Sequence, residues 1–371
     1  MGYYNSVIRC SETDISVIIP VHNGEKWIDK CMHSILNQTF INGLKVEVVV
    51  YNDGSSDDSL QMLKKWENKF RTKDQPFILI GSTLTKGVGA AKNRAVGMST
   101  GRFLCFQDID DVMNPIRLYI QWQAARSNIN ALIGSRIVRL PENSTPRYAR
   151  WANSLTNSQL KSQIYTSFGP TLLMPTWFCH RSVFGRVGGF VETGHGTPED
   201  LIFFYKHLDA GGDVIRMDQV LVVYAYHEGA ATFTIKREQI WKIQLDRLQK
   251  NVIPLWKEFT VWNAGKRGRK FVRSLSPNNL KKVLGFCDVD KNKIGHTVEL
   301  YCPIKRKVII KLPVIHFTEA KPPFIICVKL DLTNGEFEKN LQSLNLIEGI
   351  DYVLFRSSMG KEEFRLWHHF S

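Results

Sequence analysis

The first hundred residues alternate short apolar runs with stretches whose apolar positions recur at helical spacing. Residues 15–19, running into Pro20, read as a buried strand. After Gly24, the residues Ile28, Cys31 and Ile35 fall on one helix face. Residues 46–51 predict a second buried strand, closed by the turn Asn52-Asp53-Gly54, and Leu60, Leu63 and Phe70 mark the next helix. Strand 77–80, helix 88–98 and strand 103–106 continue the series. Such alternation predicts an α/β domain with a mostly parallel sheet and helices on both faces. Ligands of such sheets bind beyond the carboxyl ends of the strands, so the residues there deserve inspection first.

Regularity falls over 112–235, where loop-rich stretches are expected at 141–158 and 167–176. Trp241, Leu245, Leu248 and Val252 then predict a helix over 238–253, stopped by Pro254 and closing a first domain, 1–256. A second alternation follows: strand 259–262, the turn Asn263-Ala264-Gly265-Lys266-Arg267-Gly268, a helix to about 275, strand 282–287 ending at Asp288, and strand 324–328 ending near Asp331. Strand, NxGxxG turn, helix, strand and acidic residue follow the order of a dinucleotide-binding fingerprint, with Asn263 in place of the first glycine. The order supports a small Rossmann-like α/β domain over 257–371 more strongly than a bound dinucleotide.

Composition narrows the class. The 371 residues are 43% hydrophobic and 23% charged, as in globular chains. No apolar run approaches membrane-spanning length, and residues 1–14 lack the apolar run of a secretory leader. Seven scattered cysteines form no CxxC pair, which points to reduced thiols in a cytosolic or nuclear protein, with the cytoplasm as the assigned location. The net charge of +14 invites a polyanion. Between 257 and 307 there are thirteen Lys and Arg against four Asp and Glu. Lys266, Arg267, Arg269, Lys270 and Arg273 crowd a helix start, where the helix dipole disfavours cations. A nucleic-acid backbone would account for them, and Lys281, Lys282, Lys305, Arg306 and Lys307 extend the patch. Tyr148 and Trp151, in an expected loop with Arg147 and Arg150, and Trp177 and Phe178 are candidates to stack on a base.

The strand ends carry the chemistry. Gln107-Asp108-Ile109-Asp110-Asp111 follows strand 103–106 directly. Three adjacent carboxylates repel unless a cation or donors compensate, and hard oxygens suit Mg²⁺ or Mn²⁺ bridging to a diphosphate. Asp111 is balanced between that group and a cap for the helix near Pro115. Asp53, in the same row, offers a carboxylate to a uracil imide N–H, while Gly54 allows close backbone approach. His22 presents its backbone to the nucleotide, and Asp57 is a helix cap. The run 86–94 is glycine-rich without GxxxxGK; Lys92 is assigned to the nucleotide and Arg94 to solvent.

These motifs resemble the inverting family 2 glycosyltransferases of the GT-A fold. The matching residues are Ser16-Val17-Ile18-Ile19-Pro20-Val21-His22-Asn23, Asn52-Asp53-Gly54-Ser55, Gly89-Ala90-Ala91-Lys92-Asn93 and Asp108-Ile109-Asp110-Asp111, followed by Gly188-Gly189-Phe190, Pro198-Glu199-Asp200 and Tyr226-His227-Glu228-Gly229. The resemblance implies a GT-A domain followed by the small Rossmann-like domain. It implies a UDP-sugar on Pro20, His22, Asp53, Lys92 and Asp108, a metal (Mn²⁺ or Mg²⁺) on Asp110 and His227, and a catalytic base in the pair Glu199-Asp200. Asp200 is the assigned member, with the choice between the two left open. Lys92 stands where arginine is common. The runs Trp262-Asn263-Ala264-Gly265-Lys266, Phe286-Cys287-Asp288-Val289-Asp290-Lys291 and 322–331 extend the resemblance to the branch that galactosylates queuosine in the anticodon of cytosolic tRNA for tyrosine. That branch implies UDP-galactose as donor and tRNA as partner, with no membrane. The alternative is transfer of N-acetylglucosamine from UDP-N-acetylglucosamine to a glycan.

Overall fold

The computed structural model describes residues 13–39, 43–302, 306–330 and 333–355; Lys305 and Asp331 lie outside them. The chain divides into two compact units, Met1–Asn157 with Gly169–Ile235, and Ser158–Phe168 with Lys236–Ser371.

The first unit contains strands β1 (Ile15–Val21), β2 (Val46–Asp53), β3 (Phe77–Ser82), β4 (Phe103–Phe106), β5 (Val112–Met113), β6 (Ala131–Leu140), β7 (Phe178–His180) and β8 (Asp213–Ala225). They form one sheet in the order β3-β2-β1-β4-β7-β6-β8-β5. Strands β3, β2, β1 and β4 run parallel, and β7 turns antiparallel against β4 and β6. All seven residues of β1 are buried, as a central strand covered on both faces requires. Helices α1 (Glu25–Leu36), α2 (Ser59–Arg71), α3 (Val88–Met98) and α4 (Arg117–Ser127) connect the early strands. Ile28, Cys31 and Ile35 of α1 and Leu63, Trp66 and Phe70 of α2 pack against Val17, Ile19, Val48 and Val50. Removing such a large apolar side chain from water stabilises the fold by roughly 1.5–3 kcal/mol. Parallel pairing of β1 with β2 and β4 brings their carboxyl ends into one row, as the alternation predicts.

Helices α5 (Pro146–Ser154), α6 (Asn157–Ser162), α7 (Arg181–Val187) and α8 (Glu199–Asp209) follow. The expected loop at 141–158 thus holds a helix, whose first position is a proline, the place where proline's fixed φ and missing N–H are tolerated. Tyr148 and Trp151 lie on it and pack against Ile137, Ala152, Leu173 and Val222. Trp177 and Phe178 are fully buried. None of the four is a free stacking platform.

The second unit contains α6 from Ser158 onward, α9 (Arg237–Asn251), α10 (Lys266–Arg273), α11 (Pro277–Leu280) and α12 (Glu336–Gln342). Its strands are β9 (Phe259–Trp262), β10 (Val283–Asp288), β11 (Thr297–Cys302), β12 (Lys307–His316), β13 (Phe324–Ile326) and β14 (Tyr352–Leu354), in the order β11-β12-β10-β9-β13-β14. All neighbours are parallel except β11, which is antiparallel to β12. Helix α9, expected to close a first domain at 256, belongs here: Gln244 donates to the Ser167 carbonyl (2.7 Å), and Gln249 accepts from the Ser276 N–H (2.8 Å). Its apolar spacing was legible, but the identity of its partners was not.

The fingerprint acid Asp288 braces its own turn, accepting from the Ala264 N–H (2.9 Å) and from the amides of Val289 and Asp290. Gly268 is required because a Cβ there would lie 1.9 Å from the Asn263 carbonyl oxygen. Of the α10 cations, Lys266, Lys270 and Arg273 are exposed and Arg267 and Arg269 half-buried. Arg269 donates to the Ala264 carbonyl (2.7 Å), and Lys270 lies 4.2 Å from the Trp241 ring centre. Cys31, Cys105, Cys179, Cys287 and Cys327 are buried free thiols.

Candidate active site

Beyond the carboxyl ends of β1, β2 and β4 the first unit encloses a cavity of about 430 Å³. Pro20, His22, Asp53, Lys92, Asp108, Asp110, Glu199, Asp200 and His227 all line it, with Trp27 and Tyr224. Every residue assigned to the donor, the metal or the base therefore shares one space. The α10 cations belong to the second unit.

The acidic turn comes first. Asp110 and His227, 117 residues apart, meet with His227 Nε2 donating to Asp110 Oδ2 at 2.8 Å. The His227 ring packs against Trp27, with centroids 4.9 Å apart. Asp108, Asp110 and Asp111 bring ligand oxygens within 4.8 Å of one another. Asp111 is fully buried and caps no helix, since α4 starts at Arg117. Its Oδ1 accepts from the Ala225 N–H (2.8 Å), two residues before His227, while Oδ2 has no hydrogen-bond partner. Burial first, then the charge of Asp110, pushes the Asp111 carboxyl well up. Burial also pushes Asp108 up to about 6, with Lys92 opposing and Asp110 adding to the rise. Three crowded carboxylates, one with an unmatched buried oxygen, and an imidazole fit a hard divalent cation. Asp110 and His227 would hold it, with Asp108 and Asp111 adjacent.

Asp53, at the end of β2, is 2% exposed and accepts from the backbone N–H groups of Lys86 (2.9 Å) and Gly87 (2.8 Å). It thus anchors the loop entering α3, a role the turn signal Asn-Asp-Gly did not reveal. Gly54 has φ +65°, and a Cβ there would lie 2.9 Å from the Thr85 nitrogen. His22 donates from Nδ1 to the Asp53 carbonyl at 2.8 Å, so its imidazole has a structural partner.

Lys92 of α3 is 1% exposed, and its Nζ donates to Glu199 Oε1 at 3.0 Å. Burial works against its charge, but Glu199, then Asp108 and Asp200, hold its pKa above the ordinary lysine value. Glu199 and Asp200 form the first turn of α8, where the helix dipole favours negative charge. Asp200 keeps one edge towards the cavity and accepts from the Leu201 N–H at 2.7 Å. Desolvation, then the neighbouring Glu199, pushes its carboxyl up to about 7, with Lys92 opposing. Helix α8 is fixed from behind by aromatic packing: Phe203 stacks on Phe190 (4.7 Å) and Phe204 on Trp177 (6.2 Å). Asn93 clamps Phe190 with both ends of its amide, accepting from its N–H (2.9 Å) and donating to its carbonyl (2.8 Å). Asn93 is therefore a site-building residue whose role local sequence left unassigned, and Asp111, which the sequence balanced between the acidic group and a helix cap, belongs to the acidic group.

Residues 16–188 match the family model described as glycosyl transferase family 2. Glycosyltransferase GlyA of Streptococcus pneumoniae is 37% identical over 97 residues, 26% of this chain and 13% of that protein. Poly(ribitol-phosphate) beta-N-acetylglucosaminyltransferase TarS of Staphylococcus aureus is 36% identical over 99 residues, 27% of this chain and 16% of that protein. The matched stretch thus spans less than a fifth of these relatives' length. Among solved structures, S. aureus TarS residues 1–349 in complex with UDP-GlcNAc is similar with a TM-score of 0.51 at 17% identity, covering 73% of this chain and 84% of that one. The likeness therefore shows the GT-A fold, with residues 16–188 matching the glycosyl transferase family 2 model.

Proposed function

We propose that the protein transfers a sugar from a UDP-sugar to an acceptor hydroxyl with inversion at the anomeric carbon. The observation that carries this is the convergence of Asp53, Asp108, the Asp110–His227 pair and Asp200 on one cavity. Asp53 retains lone pairs for a uracil imide N–H beyond the amides it already accepts, and Asp108 receives the ribose. A divalent cation on Asp110 and His227, when bound, neutralises charge on the departing diphosphate. Glu199 is committed to Lys92, which leaves Asp200 as the base; a carboxyl near pH 7 suits that task. Asp200 takes the acceptor proton as the acceptor oxygen bonds to the anomeric carbon. The bond from that carbon to the diphosphate oxygen breaks and UDP leaves.

For the finer assignment, the donor is UDP-galactose and the acceptor is the cyclopentene hydroxyl of queuosine in the anticodon of tRNA-Tyr. Its support is the resemblance extending through the second half of the chain, together with the exposed cations Lys266, Lys270 and Arg273 on α10. A second reading, N-acetylglucosaminyl transfer to a glycan or polymer, is favoured by the name of the relative TarS and by its UDP-GlcNAc complex. Incubation with Mn²⁺, labelled UDP-galactose or UDP-N-acetylglucosamine, and tRNA with or without queuosine separates them. Galactose on the modified tRNA alone supports the first; equal labelling of both tRNAs, or no labelling of either, defeats it.

A further inference from the structure

Beneath the acidic turn lies a cation that the chemistry above does not use. Arg117, the first residue of α4, is fully buried at a helix N-terminus, where a positive charge is disfavoured. Among the described residues no carboxylate pairs with it; its donors reach neutral acceptors. Nε donates to Gln121 Oε1 (2.9 Å), Nη1 to Gln107 Oε1 (2.6 Å) and Nη2 to the Phe106 carbonyl (2.9 Å). A buried guanidinium so arranged is costly unless something gains from it.

Gln107 shows what gains. It is also fully buried, and its amide nitrogen donates to the carbonyls of both Asp108 and Asp111, each at 2.9 Å. Those residues are the two ends of the carboxylate turn, which is further closed by the Asp111 N–H on the Asp108 carbonyl (3.2 Å). A side-chain amide can face either way. The guanidinium on Oε1 decides the orientation, because the flipped amide would set its oxygen against two carbonyl oxygens and its nitrogen against Arg117. Gln121 holds the other side of Arg117 and donates to the Thr176 carbonyl (2.7 Å), away from the turn.

We propose that Arg117 is a positioning residue: acting through Gln107, it clamps the Asp108–Asp111 turn and sets the spacing of the carboxylates that face the metal and diphosphate, a role that rests on the sugar-transfer reading of the cavity. Asp111 carries the same constraint to the Ala225 N–H and so to the segment bearing His227.

The test uses the full chain with Gln107→Met, Gln107→Glu, Arg117→Lys and Gln121→Met, read by hydrogen exchange at the Asp111 and Ala225 amides and by Mn²⁺ binding. Gln107→Glu keeps a partner for Arg117 and hence the fold, but removes both donors to the turn. Both Gln107 variants and Arg117→Lys, whose ammonium cannot reproduce the guanidinium fork, are expected to exchange at least ten-fold faster at those amides and bind Mn²⁺ at least ten-fold more weakly. Gln121→Met is expected to stay within two-fold on both. Turn amides within two-fold of wild type in both Gln107 variants would overturn the clamp, whatever happens to melting temperature. Wild-type protein that takes no Mn²⁺ would instead count against the metal in the sugar-transfer reading, while the exchange comparison still decides the clamp.

Discussion

Replacing Lys92 by methionine removes a cation buried among carboxylates while keeping the side chain's length and much of its packing beside the Phe190 ring. The pair it breaks is dry: the Lys92 and Glu199 side chains are 1% and 9% exposed, and their charged atoms are 3.0 Å apart. Removing one partner of such a pair costs about 3–5 kcal/mol, because the remaining charge stays desolvated. At 2–4 °C per kcal/mol for a unit of this size, the melting temperature falls by on the order of 10 °C. Glu199→Gln leaves the ammonium an amide oxygen to donate to and is expected to cost less. The double substitution removes both charges of the pair and recovers part of the loss, with Asp108 and Asp200 still lacking the cation that opposed their rise. Urea unfolding of the four chains at pH 8, read as a double-mutant cycle, should give a coupling of at least about 2 kcal/mol. Single costs that add within about 0.5 kcal/mol in the double variant would show that the two charges do not support each other.

The same substitution has a second consequence, on Asp200. Burial and Glu199 raise its carboxyl and Lys92 lowers it, with a balance at about 7. Without Lys92 the opposing pull is gone, so the carboxyl rises further. A base works only when deprotonated; the rate–pH curve of Lys92→Met should therefore move to higher pH than that of the wild type. An unmoved curve would mean that Lys92 does not act on the base.

Wild-type turnover is expected to rise with pH through about 7, and Asp200→Asn to abolish it while UDP binding is kept; a flat profile between pH 5 and 9 would argue against Asp200 as the base. Stability carries the opposite sign: the folded state holds the Asp200 proton that the unfolded chain loses near pH 4, so this group's stabilising contribution falls as pH rises from about 4 to 7, and Asp200→Asn flattens that slope in denaturation curves. Asp110→Asn and His227→Ala are each expected to abolish Mn²⁺ binding by calorimetry with little change in melting temperature, whereas undiminished binding would relocate the metal. Gly54→Ala is expected to destabilise by more than about 1 kcal/mol through its positive φ and the clash with Thr85, but Gly97→Ala, in open space on α3, to stabilise by about 0.5–1 kcal/mol. Reversing Lys266, Lys270 and Arg273 to Glu should flatten the salt dependence of tRNA binding by about 0.7 per lost contact, and an unchanged slope would leave α10 a solvated face.

The first unit was legible because its central strands must be apolar on both faces: β1 and β2 are buried throughout, and α3 spans Val88–Met98, the residues its pattern marks. The row of strand-end carboxylates followed from parallel topology alone. What stayed hidden was partnership across long separations. Period shows that α9 has an apolar face, but not that Gln244 reaches Ser167. A turn signal finds Asp53 without revealing that its carboxylate anchors Lys86 and Gly87. Yet the buried cations Lys92 and Arg117 did leave a local trace. Lys92 falls on the face of α3 that also buries Ala95 and Val96, and Arg117 and Gln121 share a buried face with Leu118 and Ala125 on α4. Each is a polar residue where helical spacing calls for an apolar one, and a chain that keeps such a breach holds a charge in place for something else. Lys92 faces Glu199 at the base and Arg117 faces Gln107 under the carboxylate turn, so the two breaches of pattern lie behind the two acidic groups on which the proposed chemistry depends.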